Sequence, residues 1–317
     1  MIRTERKYIE ILMILKDHQE PMGAKRLSEL LAERGYVMTD RAVQYYLRYL
    51  DISGFTRKIG NLGRVLTPEG LLETESALVD ERIGFVISKL ERLAFRSTFN
   101  PNTGTGDIAY NLTIVDENDL EDLIDSFEAV KRAGCGFFSS YRVVYSDHRI
   151  PCGHAGIMTA CSITMDGVFQ RNGIPVKMAY GGRIEVDNKT PQQFADLISY
   201  RGTTIDPLSV FISSGLTSID DYIRTGTGIM LANVREIPIY AKERALEISA
   251  SMQSNGFIFP LEMKSGSIYN LIGDPNRISL VSYSGMNYVG HAVEQQITIT
   301  TEIGAGNVPF SRIAENE

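Results

Sequence analysis

The stretch TDRAVQYYLRYL, residues 39–50, has the spacing of an amphipathic helix that begins after Thr39. Threonine is a favoured N-cap, because its hydroxyl accepts a hydrogen bond from an N–H group of the first turn. A polar face that carries arginine is usually only solvated, so the surrounding sequence decides whether it takes part in recognition. The helical spacing predicts an apolar face of Ala42, Val43, Tyr46, Leu47 and Leu50 and an opposite polar face of Arg41, Gln44, Tyr45 and Arg48.

The sequence on both sides of this helix predicts a winged helix-turn-helix. Two helical patterns precede it, one over about Thr4 to Asp17 and one over GAKRLSELLAERG, residues 23–35, with Gly35 as the expected C-terminal cap. The stretch GFTRKIGNLGRVLTPEG, residues 54–70, has two short strands around a glycine turn. In such a module the third helix enters the major groove and the hairpin lies along the phosphates. The predicted DNA-binding residues are Thr39, Arg41, Gln44, Tyr45, Arg48, Arg57, Lys58 and Arg64.

The charge is distributed unevenly along the 317 residues, whose net value is -7. Residues 1–67 contain 12 Lys+Arg and 8 Asp+Glu, a balance of +4, and the rest contains 20 (32 − 12) and 31 (39 − 8), a balance of -11. A small basic head on an acidic body indicates that only the head binds a polyanion.

The length suits two domains. The predicted boundaries are a winged-helix domain over 1–67, a helical segment over 68–97 that is either a linker or a dimer seam, and an effector domain over 98–317. No signal peptide or membrane span is expected. The three cysteines, Cys135, Cys152 and Cys161, form no C-x-x-C pair, which argues against a disulfide scaffold or a cysteine zinc site and fits a reducing cytoplasm.

The body contains an internal repeat. TGTG occurs at 103–106 and at 225–228, and each copy precedes an alternating stretch and then a helical stretch. The closing glycines, Gly134 and Gly256, both follow 28 residues after the last glycine of their TGTG (134 − 106 and 256 − 228). Further on, CSITMDG ending at Gly167 is aligned with SLVSYSG ending at Gly285. We therefore expect an α/β body built from two quasi-repeated halves with a ligand cleft between them.

Several motifs contain residue types that occur in cofactor-binding, catalytic or metal sites. Residues 104–109 match the letters of a dinucleotide fingerprint, but the alternation that follows predicts a strand where the fingerprint requires a helix. Cys152 and His154 could be a nucleophile pair, or a metal site together with Cys161, but no family signature or third orienting group accompanies them. A small buried strand residue is the commoner role for Cys161. We therefore predict no catalytic residue, no metal and no bound cofactor.

Three body motifs, IPCGHAGIMTACSIT (150–164), NGIPVKMAYGGRIE (172–185) and TIDPLSVFISSGLTS (204–218), resemble the NrpR family, the archaeal repressors of nitrogen assimilation genes. The likeness extends over essentially the whole chain. It implies a dimeric repressor that binds an inverted-repeat operator and leaves it when 2-oxoglutarate accumulates. Some members carry two body domains, whereas this chain has room for one, which raises the alternatives of a homodimer or a second NrpR-type chain as partner.

A pocket for 2-oxoglutarate, a dianion with a keto group, requires N–H donors, hydroxyls and a cation. The family's effector response makes the CSIT stretch the expected pocket wall, formed as a strand. The expected effector-binding residues are His154, Cys161, Ser162, Thr164, Gly181, Gly182 and Arg183. The alternative functions are a metabolic enzyme with a winged-helix appendage and a protein-interaction module.

Overall fold

The computed structural model describes residues 2–18, 20–33, 36–71, 74, 86–147, 149–258 and 262–314. The chain divides into two compact units, Met1–Gly84 and Phe85–Glu317. The predicted cap Gly35 and most of the first part of the predicted 68–97 helix lie outside the described residues.

The first unit is a winged helix, as the sequence predicts. Its helices are α1 (Ile2–His18), α2 (Ala24–Glu33) and α3 (Asp40–Ile52), and its antiparallel strands are β1 (Thr56–Ile59) and β2 (Gly63–Leu66). The backbone of Met22, before α2, pairs with Arg64 through N–H···O bonds of 3.0 and 2.9 Å and so adds a third short segment to the hairpin. The core that holds the three helices together contains Ile11, Leu12, Leu15, Leu27, Leu31, Val43, Leu47 and Leu50.

The second unit combines eight helices and nine strands among its described residues. The helices are α4 (Val86–Arg96), α5 (Leu120–Ala133), α6 (Ile163–Arg171), α7 (Pro207–Ser213), α8 (Ile219–Thr225), α9 (Lys242–Gln253), α10 (Asn287–Glu294) and α11 (Ser311–Ala314). The strands are β3 (Asp107–Asp116), β4 (Tyr141–Val144), β5 (His154–Ala160), β6 (Lys177–Asp187), β7 (Thr190–Ser199), β8 (Gly228–Pro238), β9 (Glu262–Ser265), β10 (Arg277–Tyr283) and β11 (Ile299–Pro309). The mixed helix and sheet architecture agrees with the predicted fold class.

Two antiparallel sheets, ordered β11-β3-β5-β4 and β7-β6-β8-β10-β9, have equivalent strand orders apart from the additional edge strand β7. The first half of the unit runs β3, α5, β4, β5, α6, β6, and the second half runs β8, α9, β9, β10, α10, β11. Each half therefore contributes three strands to its own sheet, and its last strand joins the sheet of the other half. The repeat predicted from the TGTG spacing is present, with the final strands exchanged between the halves.

Hydrogen bonds at equivalent positions fix the alignment of the halves. The Thr164 hydroxyl accepts from Ala109 N at 3.0 Å, and the Asn287 side-chain oxygen accepts from Leu231 N at 2.9 Å. Ala109 and Leu231 are 122 residues apart (231 − 109) and Thr164 and Asn287 are 123 apart (287 − 164). Gly167 in α6 is thus equivalent to Gly290 in α10, and the predicted alignment of Gly167 with Gly285 is wrong.

These two helix glycines allow close packing of neighbouring helices. A Cβ atom at Gly167 would lie 2.4 Å from the carbonyl oxygen of Ala94 in α4, and one at Gly290 would lie 2.5 Å from Ile219 in α8. At Gly167 the close atom belongs to the backbone, so a side chain there would push α6 away from α4. At Gly290 the close atom is the terminal methyl of Ile219, which can rotate away.

The two main cores also follow the repeat. One contains residues of β3 and β5 together with Val168 and Phe169 of α6 and Ile248 of α9. The other contains residues of β8 and β10 together with Phe127 of α5 and Tyr288 of α10. Each core combines a helix from one half with a helix from the other. Neither half therefore buries its apolar side chains without the other.

Candidate functional sites

The polar face of α3 is exposed, as the helical spacing predicts. Thr39 caps the helix, its Oγ1 accepting from Ala42 N at 3.3 Å. Val43 and Leu47 are fully buried, whereas the side chains on the opposite face are exposed, namely Arg41, Gln44, Tyr45 and Arg48. This face presents two guanidinium groups and an amide, the side chains that bind guanine and adenine edges in the major groove.

An aromatic cluster holds α1 against α3. The Tyr8 ring lies 4.8 Å from that of Tyr46 in an edge-to-face arrangement and 4.6 Å from that of Tyr49. Burial raises the pKa of the Tyr8 phenol, so the hydroxyl stays neutral at physiological pH. Tyr45 packs edge-on against Tyr46 but remains 67% exposed, so its ring is oriented while still accessible.

Hydrogen bonds to one carboxylate, that of Asp51, connect the hairpin to the end of α3. Asp51 accepts from the Thr56 hydroxyl at 2.6 Å and from Arg64 Nε at 2.9 Å. Arg64 is largely buried in this contact, whereas Arg57 and Lys58 on β1 are exposed. Of the three hairpin cations predicted to bind phosphates, Arg64 therefore has a structural partner in the protein.

In the second unit, a small cavity lies where the two halves meet. Its volume is about 20 Å³, room for about one water molecule, so a ligand larger than water would have to open it further. The lining residues come in equivalent pairs from the two halves: Asn111 with Asn233, and the segment 161–163 with the segment 284–286. Further lining residues are Leu90, Met178, Tyr200, Asp206, Leu208 and Ile303.

Two helices begin at this cavity, one from each half. Cys161, Ser162 and Ile163 lead into α6, and Ser284, Gly285 and Met286 lead into α10, with lengths of nine and eight residues. Helix N-termini carry unpaired N–H groups and a partial positive charge, and they favour anions. The amide oxygens of Asn111 and Asn233 accept from Gly304 N and Tyr200 Oη, which leaves their amide nitrogens as further donors.

A buried arginine that the sequence prediction missed lies beside the cavity. Arg235 on β8 has no exposed surface, and its Nε donates to Asp166 Oδ1 at 2.6 Å. Its Nη2 donates to Ser162 Oγ, a cavity residue, at 3.0 Å. Burial raises the pKa of Asp166, while Arg235 opposes that shift by favouring the carboxylate. The strand alternation around Arg235 places it in the interior, and an arginine at an interior strand position is the signal that could have identified it.

Asp206 contributes a carboxylate to the cavity wall. Its Oδ1 caps α7 by accepting from Leu208 N at 2.9 Å and Ser209 N at 3.4 Å. Burial raises the pKa of Asp206 to about 6, and these two backbone bonds partly offset the shift.

Of the seven predicted effector residues, only Cys161 and Ser162 line this cavity. Thr164 is fully buried with its hydroxyl bonded to Ala109. Gly181 and Gly182 lie in the middle of β6, where a Cβ would meet Leu208 and Leu197 respectively. Arg183 pairs with Asp196 and donates to Leu216 O at 2.7 Å, and His154 lies at the start of β5. The structure does not bring the other five residues to this cavity.

The CSIT stretch is not a strand, as predicted, but the junction between a strand and a helix. β5 ends at Ala160, Cys161 N donates to Ala109 O at 2.8 Å, and α6 begins at Ile163. The junction, rather than a strand face, brings Cys161 and Ser162 to the cavity. Burial raises the pKa of Cys161 to about 11, so its thiol stays protonated at neutral pH.

The structure gives no support to the catalytic, metal and dinucleotide-binding sites considered in the sequence. His154 Nδ1 lies 3.2 Å from the backbone oxygen of Cys152, and the exposed Cys152 thiol is not its partner in that contact. The described part of the chain contains no group of three His, Cys, Asp or Glu residues placed to hold a metal ion. The glycines at 104 and 106 precede β3, as predicted, and not a helix. No helix among the described residues has the length and apolar character needed to cross a membrane.

Ser126, His291 and Asp220 form a Ser–His–Asp arrangement beside a pocket of the second unit. Ser126 Oγ lies 2.8 Å from His291 Nδ1, and His291 Nε2 lies 3.6 Å from Asp220 Oδ1. Ser126 is buried inside α5, whereas a catalytic serine must be reached by substrate. Asp122 and Asp125 stand beside it, and their negative charge would repel an oxyanion. These three side chains instead form a structural contact that joins α5, α8 and α10.

Comparison with known proteins identifies both units. Residues 83–315 match the family model of the NrpR regulatory domains NRD1 and 2, and residues 9–74 match that of the ribonuclease R winged-helix domain. The chain is 38% identical to the global nitrogen regulator NrpRI of Methanosarcina mazei over 305 residues, 94% of each chain.

Two longer relatives and one solved structure complete the comparison. The global nitrogen regulators NrpR of Methanocaldococcus jannaschii and Methanococcus maripaludis are 32% and 30% identical over 77% and 88% of this chain. The matches span only 43% and 49% of those two relatives. A nitrogen repressor-like protein from Methanococcus jannaschii has a similar fold, with a TM-score of 0.62 at 23% identity over 73% of this chain and 97% of that one.

Proposed function

Because the chain belongs to the NrpR family of nitrogen regulators, we propose that it is a DNA-binding repressor of nitrogen assimilation genes that 2-oxoglutarate releases from its operator. The exposed polar face of α3 is the observation that carries the DNA-binding part of the proposal. Arginine and glutamine on that face form bidentate bonds to guanine and adenine edges, and Arg57 and Lys58 of the hairpin neutralise phosphates. A homodimer presents two such heads to an inverted repeat.

The cavity between the halves of the second unit supports the effector assignment. 2-Oxoglutarate has a carboxylate at each end, and the cavity is lined by the beginnings of α6 and α10, one from each half. Each helix N-terminus favours one anionic group. The side chains of Asn111, Asn233, Tyr200 and Ser162 supply further hydrogen-bonding groups for the carboxylates and the keto oxygen.

A gel shift on DNA upstream of the host's nitrogen assimilation genes tests both parts. We expect a specific complex that 2-oxoglutarate dissociates and glutamate does not, because glutamate replaces the keto group with an ammonium. Specific binding without any response to 2-oxoglutarate would retain the repressor and remove the effector. Turnover of 2-oxoglutarate in the absence of DNA binding would instead favour an enzyme.

Variants of α3 test the position of the DNA-binding face. Arg41→Ala and Arg48→Ala should each weaken specific binding by about 1–3 kcal/mol, the range for one bidentate base contact. Arg132→Ala, which removes a cation from the surface of α5 in the other unit, is the matched control and should bind like the wild type. Wild-type affinity in both α3 variants, measured by fluorescence anisotropy, would place the interface elsewhere.

A further inference from the structure

Arg235 is incompletely paired in the interior of the second unit. Its Nε and Nη2 have partners, but no hydrogen-bond partner lies within reach of Nη1 or of Asp166 Oδ2 among the described residues. A guanidinium has five N–H donors, and an unsatisfied buried donor is costly. A buried ion pair with one open donor is therefore a site that an additional anion would complete.

The guanidinium lies immediately behind the cavity wall. Ser162 Oγ is 3.0 Å from Arg235 Nη2 and Ser162 itself lines the cavity. Asn233, two residues earlier on β8, also lines the cavity, and alternate residues of a strand point to the same face. The residues that line the cavity include no lysine or arginine, whereas a dianion requires compensating positive charge.

We propose that Arg235 is the cation that binds one carboxylate of the effector, and that it does so by exchanging partners. In the structure Asp166 accepts a hydrogen bond from the Arg235 guanidinium. When a dicarboxylate enters, the Ser162 hydroxyl moves aside and the ligand carboxylate takes a bidentate bond from Arg235, while Asp166 loses part of its contact. This inference rests on the proposed effector function and names the residue through which the effector acts.

This exchange of partners would change a contact between the two halves of the unit when the ligand binds. Arg235 belongs to β8 of the second half, and Asp166 and Ser162 belong to the beginning of α6 in the first half. The ion pair therefore ties the two halves together, and α6 also packs closely against α4 at Gly167. A ligand that takes Arg235 away from Asp166 changes the contact between the halves and provides the differential interaction that a conformational change requires.

Two substitutions of opposite expected sign test the exchange. Isothermal titration with 2-oxoglutarate should show at least about tenfold weaker binding to Arg235→Gln, because the ligand's charge partner is lost. Asp166→Asn should bind at least about fivefold more tightly, because the competitor for the guanidinium is weakened. Asp122→Asn removes one carboxylate from the exposed surface of α5 and is the matched charge control, expected to bind like the wild type.

The opposite signs separate a binding role from a merely structural one, because loss of packing would weaken binding in both variants. The melting temperature with and without 2-oxoglutarate provides a second readout, and the ligand-induced rise should be larger in Asp166→Asn than in the wild type. If Arg235→Gln does not fold, Asp166→Asn still decides: unchanged or weaker binding by the folded variant overturns the exchange. Absence of 2-oxoglutarate binding by the wild type would overturn the effector function itself, and the exchange with it.

Discussion

Asp206 combines two roles at one residue, since it caps α7 and faces the cavity. Its pKa is raised to about 6 by burial, above the ordinary value of 3.8. A carboxyl whose pKa is higher in the folded state stabilises the fold fully at low pH, and this contribution is lost as pH rises through the folded pKa.

The substitution Asp206→Asn tests this dependence. Asparagine is as good an N-cap as aspartate, so the variant should fold. Relative to the variant, we expect the wild type to lose stability as pH rises from about 4 to about 7, because only the wild type must ionise a buried carboxyl. Denaturant midpoints of the two proteins at four pH values measure the difference, with Asp122→Asn as the control for loss of a surface carboxylate. Parallel curves for the wild type and Asp206→Asn would contradict the raised pKa.

Arg235 and Thr164 show why sequence reasoning could not tell which residues lie at the cavity. Cys161 and Ser162 both line the cavity because they belong to one short segment. Thr164 belongs to the same segment, but its hydroxyl is bonded to Ala109, which is 55 residues away in sequence. Arg235 reaches the site through contacts with residues 69 and 73 positions earlier, and no local pattern indicates such a contact.

At the scale of elements, the winged helix could be predicted almost completely. Its cap at Thr39, the apolar spacing of α3 and the glycine turn of the hairpin are all local signals. The prediction that CSIT forms a strand was wrong. Ile and Thr favour strands, but the end of β5 is set by packing and by the bond from Cys161 N to Ala109 O.

The hairpin cations differ in what their removal should do. Arg57→Ala and Lys58→Ala should each reduce the slope of log affinity against log salt by about one, because each removes one phosphate contact and its released counterion. Arg64→Ala should instead lower the stability of the first unit, since Arg64 and Thr56 share the carboxylate of Asp51. Salt titrations of operator binding and melting curves of the three variants separate the roles. An unchanged salt slope in both Arg57→Ala and Lys58→Ala would show that the hairpin does not contact the phosphates.

For the second unit as a whole, the sequence revealed the repeat but not its architecture. The equal spacing of Gly134 and Gly256 from their TGTG motifs was sufficient to find two halves. The exchange of β6 and β11 between the sheets depends on pairing between strands far apart in sequence, for which spacing within one half carries no information. The same exchange places the cavity where both halves meet, with one helix beginning from each.

An effector that releases DNA must have its own affinity changed by DNA. If 2-oxoglutarate weakens operator binding by a given factor, thermodynamic linkage requires the operator to weaken 2-oxoglutarate binding by the same factor, typically about 5- to 150-fold. Titration of 2-oxoglutarate into the free protein and into the operator complex measures one factor, and titration of operator at zero and saturating effector measures the other. Arg48→Ala, which we expect to bind 2-oxoglutarate normally in the absence of DNA, should show a smaller effect of the operator at the operator concentration that saturates the wild type. Equal 2-oxoglutarate affinity with and without operator would contradict release by the effector, whichever residues form the cavity.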